Sequence, residues 1–66
     1  MKNNLKVERA IQNITQEELA RLIGVSRQTI HAIETGKYVP STVLALKIAK
    51  LCDKSVEEIF ILEETD

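Results

Sequence analysis

The 66-residue sequence predicts an all-α domain of five short helices. Three observations predict it. Apolar residues recur at helical spacing along most of the chain. Hydroxyl residues stand just ahead of these runs, two of them three places before a glutamate. Pro40 and the two glycines, Gly24 and Gly36, fall only where runs end.

Val7, Ala10, Ile11 and Ile14 follow an i, i+3, i+4, i+7 pattern. They predict an amphipathic first helix from near Leu5 to near Asn13 with this stripe inward. Thr15 and Glu18 form a capping box, with Ile14 and Leu19 spaced as a hydrophobic staple. They open a second helix whose buried side is Leu19, Ala20, Leu22 and Ile23. Gly24 stops it, because glycine enters the left-handed region without a Cβ clash. Ser26 caps the third helix, Val25 and Ile30 make a second staple, and Gly36 ends it. Lys37 to Pro40 reads as a loop. Ser41 or Thr42 caps a fourth helix running to about Cys52. Apolar almost all round, it is expected to be the central buried helix. Ser55 with Glu58 is another capping box and opens a short fifth helix. Phe60-Ile61-Leu62 and an acidic end follow, with a short β pairing between Ile61 or Leu62 and Met1–Asn4 as an option.

A chain this short buries only about 60% of its unfolded surface and needs support. Cys52 and His31 are its only cysteine and histidine, so neither an internal disulfide nor a closed zinc site is available. No cofactor is expected, and oligomerisation is the remaining device. No run approaches the roughly 18 apolar residues of a membrane span, and no signal peptide is evident. The expected setting is the cytoplasm. Net charge is −1, but its distribution is uneven. Residues 1–52 carry eight basic and four acidic residues, and residues 53–66 carry one lysine and six acids. A basic body with an acidic tail suits a protein that meets phosphates with one face. Enzymatic chemistry is not expected: Ser26 and His31 have no third group and no oxyanion donor.

Residues 16–35 satisfy the packing demands of two short helices crossing at a tight turn. Leu19 and Ile23 point inward from one helix, and Ile30 and Ile33 from the other. Ala20 is small where the helices approach, Gly24 takes the turn and Val25 fills the corner. With Ile30 and Ile33 inside, 100° per residue puts Gln28, His31, Ala32 and Thr35 outside, with Arg27 beside them. An arginine can pair with guanine O6/N7 and a glutamine with adenine N6/N7, while Ala32 leaves room or meets a thymine methyl. Gln16 at a helix N-terminus, Thr29 on the flank, and Lys37, Tyr38 and Ser41 in the following loop suit phosphate contacts.

The strings Thr15–Ala20, Gly24–Ile30 and Ile33–Tyr38 resemble the Xre family of lambda-repressor-like helix-turn-helix transcription regulators of bacteria, archaea and phages. Pro40-Ser41, Leu46–Ala49 and Ser55–Phe60 extend the resemblance over about residues 4–60. It implies a five-helix lambda-repressor-like DNA-binding domain, similar to the small stand-alone cytolysin-repressor type that binds as symmetric dimers. It implies base contacts from Arg27, Gln28 and Ala32, phosphate contacts from Gln16, Thr29, Lys37 and Ser41, and a structural ion pair between Arg9 and Glu34. Glu8 departs from the family, which often has an apolar residue there. Either Val7 takes its place in the core or the first helix is rotated. No role carries over to His31.

The expected function is therefore a regulator, as repressor, binding an inverted-repeat operator on double-stranded DNA as a homodimer. A single module buries too little surface for tight specific binding, whereas two related by a dyad read half-sites about 34 Å apart. The dimerisation end is placed at about 56–62, with Val39, Val56, Ile59, Ile61 and Leu62 as apolar candidates, unless these residues only close a monomer's core. No small-molecule ligand is evident. An antitoxin or other protein-interaction module with the same fold is the alternative function.

Overall fold

The computed structural model describes residues 1–66. The elements are β1 (Lys2–Asn3), α1 (Leu5–Ile11), α2 (Gln16–Ile23), α3 (Arg27–Glu34), α4 (Thr42–Cys52), α5 (Val56–Ile59) and β2 (Phe60–Ile61). The five helices match the expected order, and the optional β pairing is present. β1 and β2 form a two-stranded antiparallel sheet with Lys2 opposite Ile61 and Asn3 opposite Phe60. The amide of Asn4 extends it with a 2.8 Å hydrogen bond to the Ile59 carbonyl. No helix is long and apolar enough to cross a membrane.

Local chemistry explains where each helix starts and stops. Thr15 and Ser55 each accept from the glutamate amide three residues on, while Glu18 and Glu58 return a carboxylate to the cap amides. These two capping boxes satisfy amides that no helical carbonyl reaches. Ser26 and Ser41 cap α3 and α4 through Thr29 N and Leu44 N. Gly36 lies at φ +78°, where the Lys37 amide reaches back to Ala32 O and the Gly36 amide to Ile33 O. That pairing is a Schellman ending. Asn13 and Asp53 take left-handed conformations at the ends of α1 and α4, the role that glycine fills elsewhere. Both are residue types that tolerate this region.

The core gathers Leu5, Leu19, Ala20, Ile23, Ile30, Ile33, Ile48, Ala49, Cys52, Ile59 and Phe60. Ile14, Val25, Leu44 and Val56 pack against it. Four expectations are corrected. The Val7–Ala10–Ile11 stripe faces outward, with Val7 57% and Ile11 64% exposed. In this two-turn helix Leu5 and Glu8 turn inward, so the rotation, not a substitution by Val7, answers the departure at Glu8. Glu8 is held by Lys54, whose Nζ lies 3.2 Å from Glu8 Oε2. A buried carboxylate requires such a partner. Next, α4 is not buried all round: Ile48, Ala49 and Cys52 face the core, while Val43 and Leu46 are exposed along with Lys47 and Lys50. Leu22, placed on the buried side of α2, is exposed too. Last, Ile59 has no accessible surface. Its side chain belongs to the protomer's own core, so it leaves the set of candidate dimer residues.

Candidate nucleic-acid interface

The residues with reading chemistry share the outer face of α3. Ser26 fixes the start of that helix, and Ile30 and Ile33, both fully buried, fix its rotation. With these two inside, Arg27, Gln28 and His31 are exposed and line one open groove that has no apolar residue. Ala32, half-buried, lies one turn beyond Gln28 in a second groove with Val25, Thr29, Tyr38 and Leu44. Long side chains at the helix start, with a small one behind them, let a helix approach a base-pair edge closely.

The one acid of α3 is turned away from this face. The Glu34 side chain is only 5% exposed. Its Oε2 accepts from Arg9 Nε at 2.9 Å, and Oε1 accepts from Gln16 Nε2 at 3.0 Å and Arg9 Nη2 at 3.4 Å. Arg9 Nη1 also donates to the Ile14 carbonyl at 3.0 Å. The carboxylate is thus neutralised, and α1, α2 and α3 are tied together at one point. The sequence did not reveal that Gln16 belongs to this cluster. Its amide commits one N–H to Glu34 and leaves the second without a protein acceptor.

The remaining candidates surround the end of α3. Thr29 shares a 3.0 Å hydrogen bond with Ser26 at the helix start. The amides of Lys37 and Tyr38 both close on Ala32 O, at 2.9 and 3.2 Å, so the backbone of this loop is set by the helix. Both side chains are exposed. The Ser41 hydroxyl accepts from Leu44 N and retains its own proton for donation. Of the candidate dimer residues, Leu62 is 78% exposed, Val39 and Ile61 are also exposed, and Val56 is half-buried against the core. The structure adds Val43 and Leu46 as exposed apolar residues on a helix whose composition predicts burial all round. No group of three or more histidine, cysteine or acidic residues is arranged to hold a metal. Cys52 is buried, and burial together with the charge of Glu8 pushes its thiol up.

Known proteins share this sequence and fold. A family model described as helix-turn-helix matches residues 5–59. An HTH-type transcriptional regulator of Methanocaldococcus jannaschii is 59% identical over 66 residues, covering all of both chains. The HTH-type transcriptional regulator YgzD of Bacillus subtilis is 52% identical over 64 residues, 97% of each chain. Among solved structures, the restriction-modification controller protein C.AhdI of Aeromonas hydrophila superposes with a TM-score of 0.75, at 34% identity over 85% of each chain. By its fold and by these matches along nearly its whole length, the chain belongs to the Xre-like helix-turn-helix family of DNA-binding transcriptional regulators.

Proposed function

We propose that this chain is a sequence-specific repressor that occupies an inverted-repeat operator as a homodimer, with α3 in the major groove. The observation that carries the reading is the outer face of α3, where Arg27, Gln28 and His31 stand exposed while Glu34 is turned inward. Arg27, Gln28 and Ala32 read bases. Gln16, Thr29, Lys37, Tyr38 and Ser41 hold phosphates and set the register. Residues 16–35 are the reading part of a single DNA-binding domain that acts in the cytoplasm.

The dimerisation end lies at about residues 56–62. Ile61 and Leu62 form its apolar contact, with Val39 and Val56 at its edge. Their exposure supports this role, since a small monomer gains little from leaving a large aliphatic chain in water. The acidic end then lies away from the phosphates, which repel it.

The test begins with selection of operators from a random duplex library, followed by titration at several salt concentrations. Wild-type protein should select an inverted repeat and bind it less tightly as salt rises. Gln28→Ala should alter base preference at one position of each half-site. Lys37→Ala should weaken binding to all sequences alike and reduce the salt slope by about 1. An unchanged base preference in Gln28→Ala would remove the groove assignment.

A further inference from the structure

One side-chain hydrogen bond joins the sheet at the chain ends to the recognition helix. Asn3 Nδ2 donates to the carbonyl of Ile33, in the last turn of α3, at 2.8 Å. The same carbonyl accepts from Gly36 N at 3.0 Å, so both its lone pairs are used. On its other side the Asn3 amide accepts, through Oδ1, from Leu5 N at 3.1 Å. This bond caps α1, because Asn4 makes no side-chain cap of its own. The Asn3 backbone meanwhile lies opposite Phe60 in β2. One residue therefore joins the start of α1, the end of α3 and the strand that leads into Ile61 and Leu62.

The chemistry singles out asparagine. An amide offers an acceptor and a donor on one short planar group. Aspartate would keep the acceptor for Leu5 but set a negative charge against the Ile33 carbonyl, at the end of a helix that favours cations. Serine is shorter by an atom and cannot serve both sides.

We propose that Asn3 is a positioning residue for DNA reading, which fixes the end of the recognition helix to the strand pair at the dimerisation end. This role rests on the homodimeric reading above. The two recognition helices of a dimer are spaced by the interface and by whatever ties each helix to it. Asn3 is that tie at the C-terminal end of α3, while Glu34, bonded to Arg9 and Gln16, holds the same end to α1 and α2. With the tie cut, α3 keeps its core contacts, but its pitch relative to the dimer axis is less well defined.

Asn3→Asp tests this with two readouts. In the free protein, amide hydrogen exchange at Gly36 and Lys37 should quicken about five-fold, the scale of one net hydrogen bond. The melting temperature should fall by about 4–8 °C, the scale of that one bond in a domain of this size, and by less than in Asn3→Ala, because the α1 cap survives. On operators whose half-site spacing is lengthened or shortened by one base pair, wild type should discriminate strongly and Asn3→Asp about five-fold less, again the scale of one such bond. Its self-association should be unchanged. Asn3→Ala, which loses both caps, should show the same loss of spacing discrimination together with lower stability. If exchange at Gly36 and Lys37 is unchanged, or if both variants discriminate spacing as wild type does, the proposal is wrong. A wild-type protein that selects no inverted repeat while Asn3→Asp still loosens Gly36 would overturn the function reading and leave Asn3 a purely local cap, which also overturns the positioning role.

Discussion

Replacing Glu34 by alanine isolates the cluster that turns an acid away from the reading face. Truncation strands two donors at once, the Arg9 guanidinium and the Gln16 amide. Removing one member of a fully buried ion pair costs about 3–5 kcal/mol. Here the Arg9 side chain keeps 18% of its exposure, so water recovers part of that loss and about 2–3 kcal/mol is expected. A chain of this size has a total stability of about 3–10 kcal/mol. The melting temperature should therefore fall by about 10–20 °C. Arg9→Ala should cost at least as much, because it leaves the 5%-exposed Glu34 carboxylate as the unpaired charge. Circular dichroism melts and urea titrations of both single variants and the double variant measure the coupling. The double variant should be scarcely worse than the costlier single one, with a coupling of about 1.5–2.5 kcal/mol. Additive losses, to within about 0.5 kcal/mol, would refute the shared cluster.

Three further outcomes follow from the structure. Ile59→Ala should cost about 2–5 kcal/mol as a core truncation, whereas Leu62→Asp should leave the fold intact and weaken self-association in sedimentation velocity. Gly24→Ala should cost about 1 kcal/mol by denaturant titration, and the cost is purely conformational, since a Cβ there meets nothing within 4 Å but φ is +80°. The backbone amides of Thr15 and Ser55 hold the Glu18 and Glu58 carboxyls below the ordinary range. A lowered folded-state value gives stability that is present above the unfolded value, near 4.5, and is lost as pH falls through the depressed one. Urea midpoints should accordingly fall below about pH 4.5, and Glu18→Ala with Glu58→Ala should flatten that acid limb.

The parts of this fold that were legible in the sequence are those where one residue type answers one local demand. Thr15, Ser26 and Ser55 were readable because only a short side-chain acceptor caps those amides. Gly24 and Gly36 were readable because a left-handed position favours glycine. Asn13 and Asp53 take up the same conformation but announce it less clearly, since both residue types have many other uses. The misreadings at α1 and α4 have a common physical cause. Periodicity assigns a face only when one stripe is apolar and the other polar. In α1 the inward face is Leu5 and Glu8, and the apolar stripe is on the other side. In α4 nearly every position is apolar, so the pattern carries no direction. Long-range partners were the least visible: nothing near Asn3, Glu8 or Gln16 in the sequence points to Ile33, Lys54 or Glu34.

These long-range contacts follow from what a reading helix requires. Its outer face must keep long polar side chains in water and free of acids, so that face supplies no packing energy. The opposite face of α3 offers only Ile30 and Ile33 as fully buried anchors, too few to fix both rotation and pitch. Directional bonds at the helix end supply what apolar packing lacks, since they fix an angle as well as a distance. Three converge there: Glu34 to Arg9, Glu34 to Gln16, and Ile33 to Asn3. Their outer partners come from α1, α2 and β1, and all three are polar residues that apolar periodicity does not mark. A polar residue at such a site looks like a lapse in the hydrophobic pattern when read locally. In the folded chain it is one of the groups that hold the recognition helix at a defined angle.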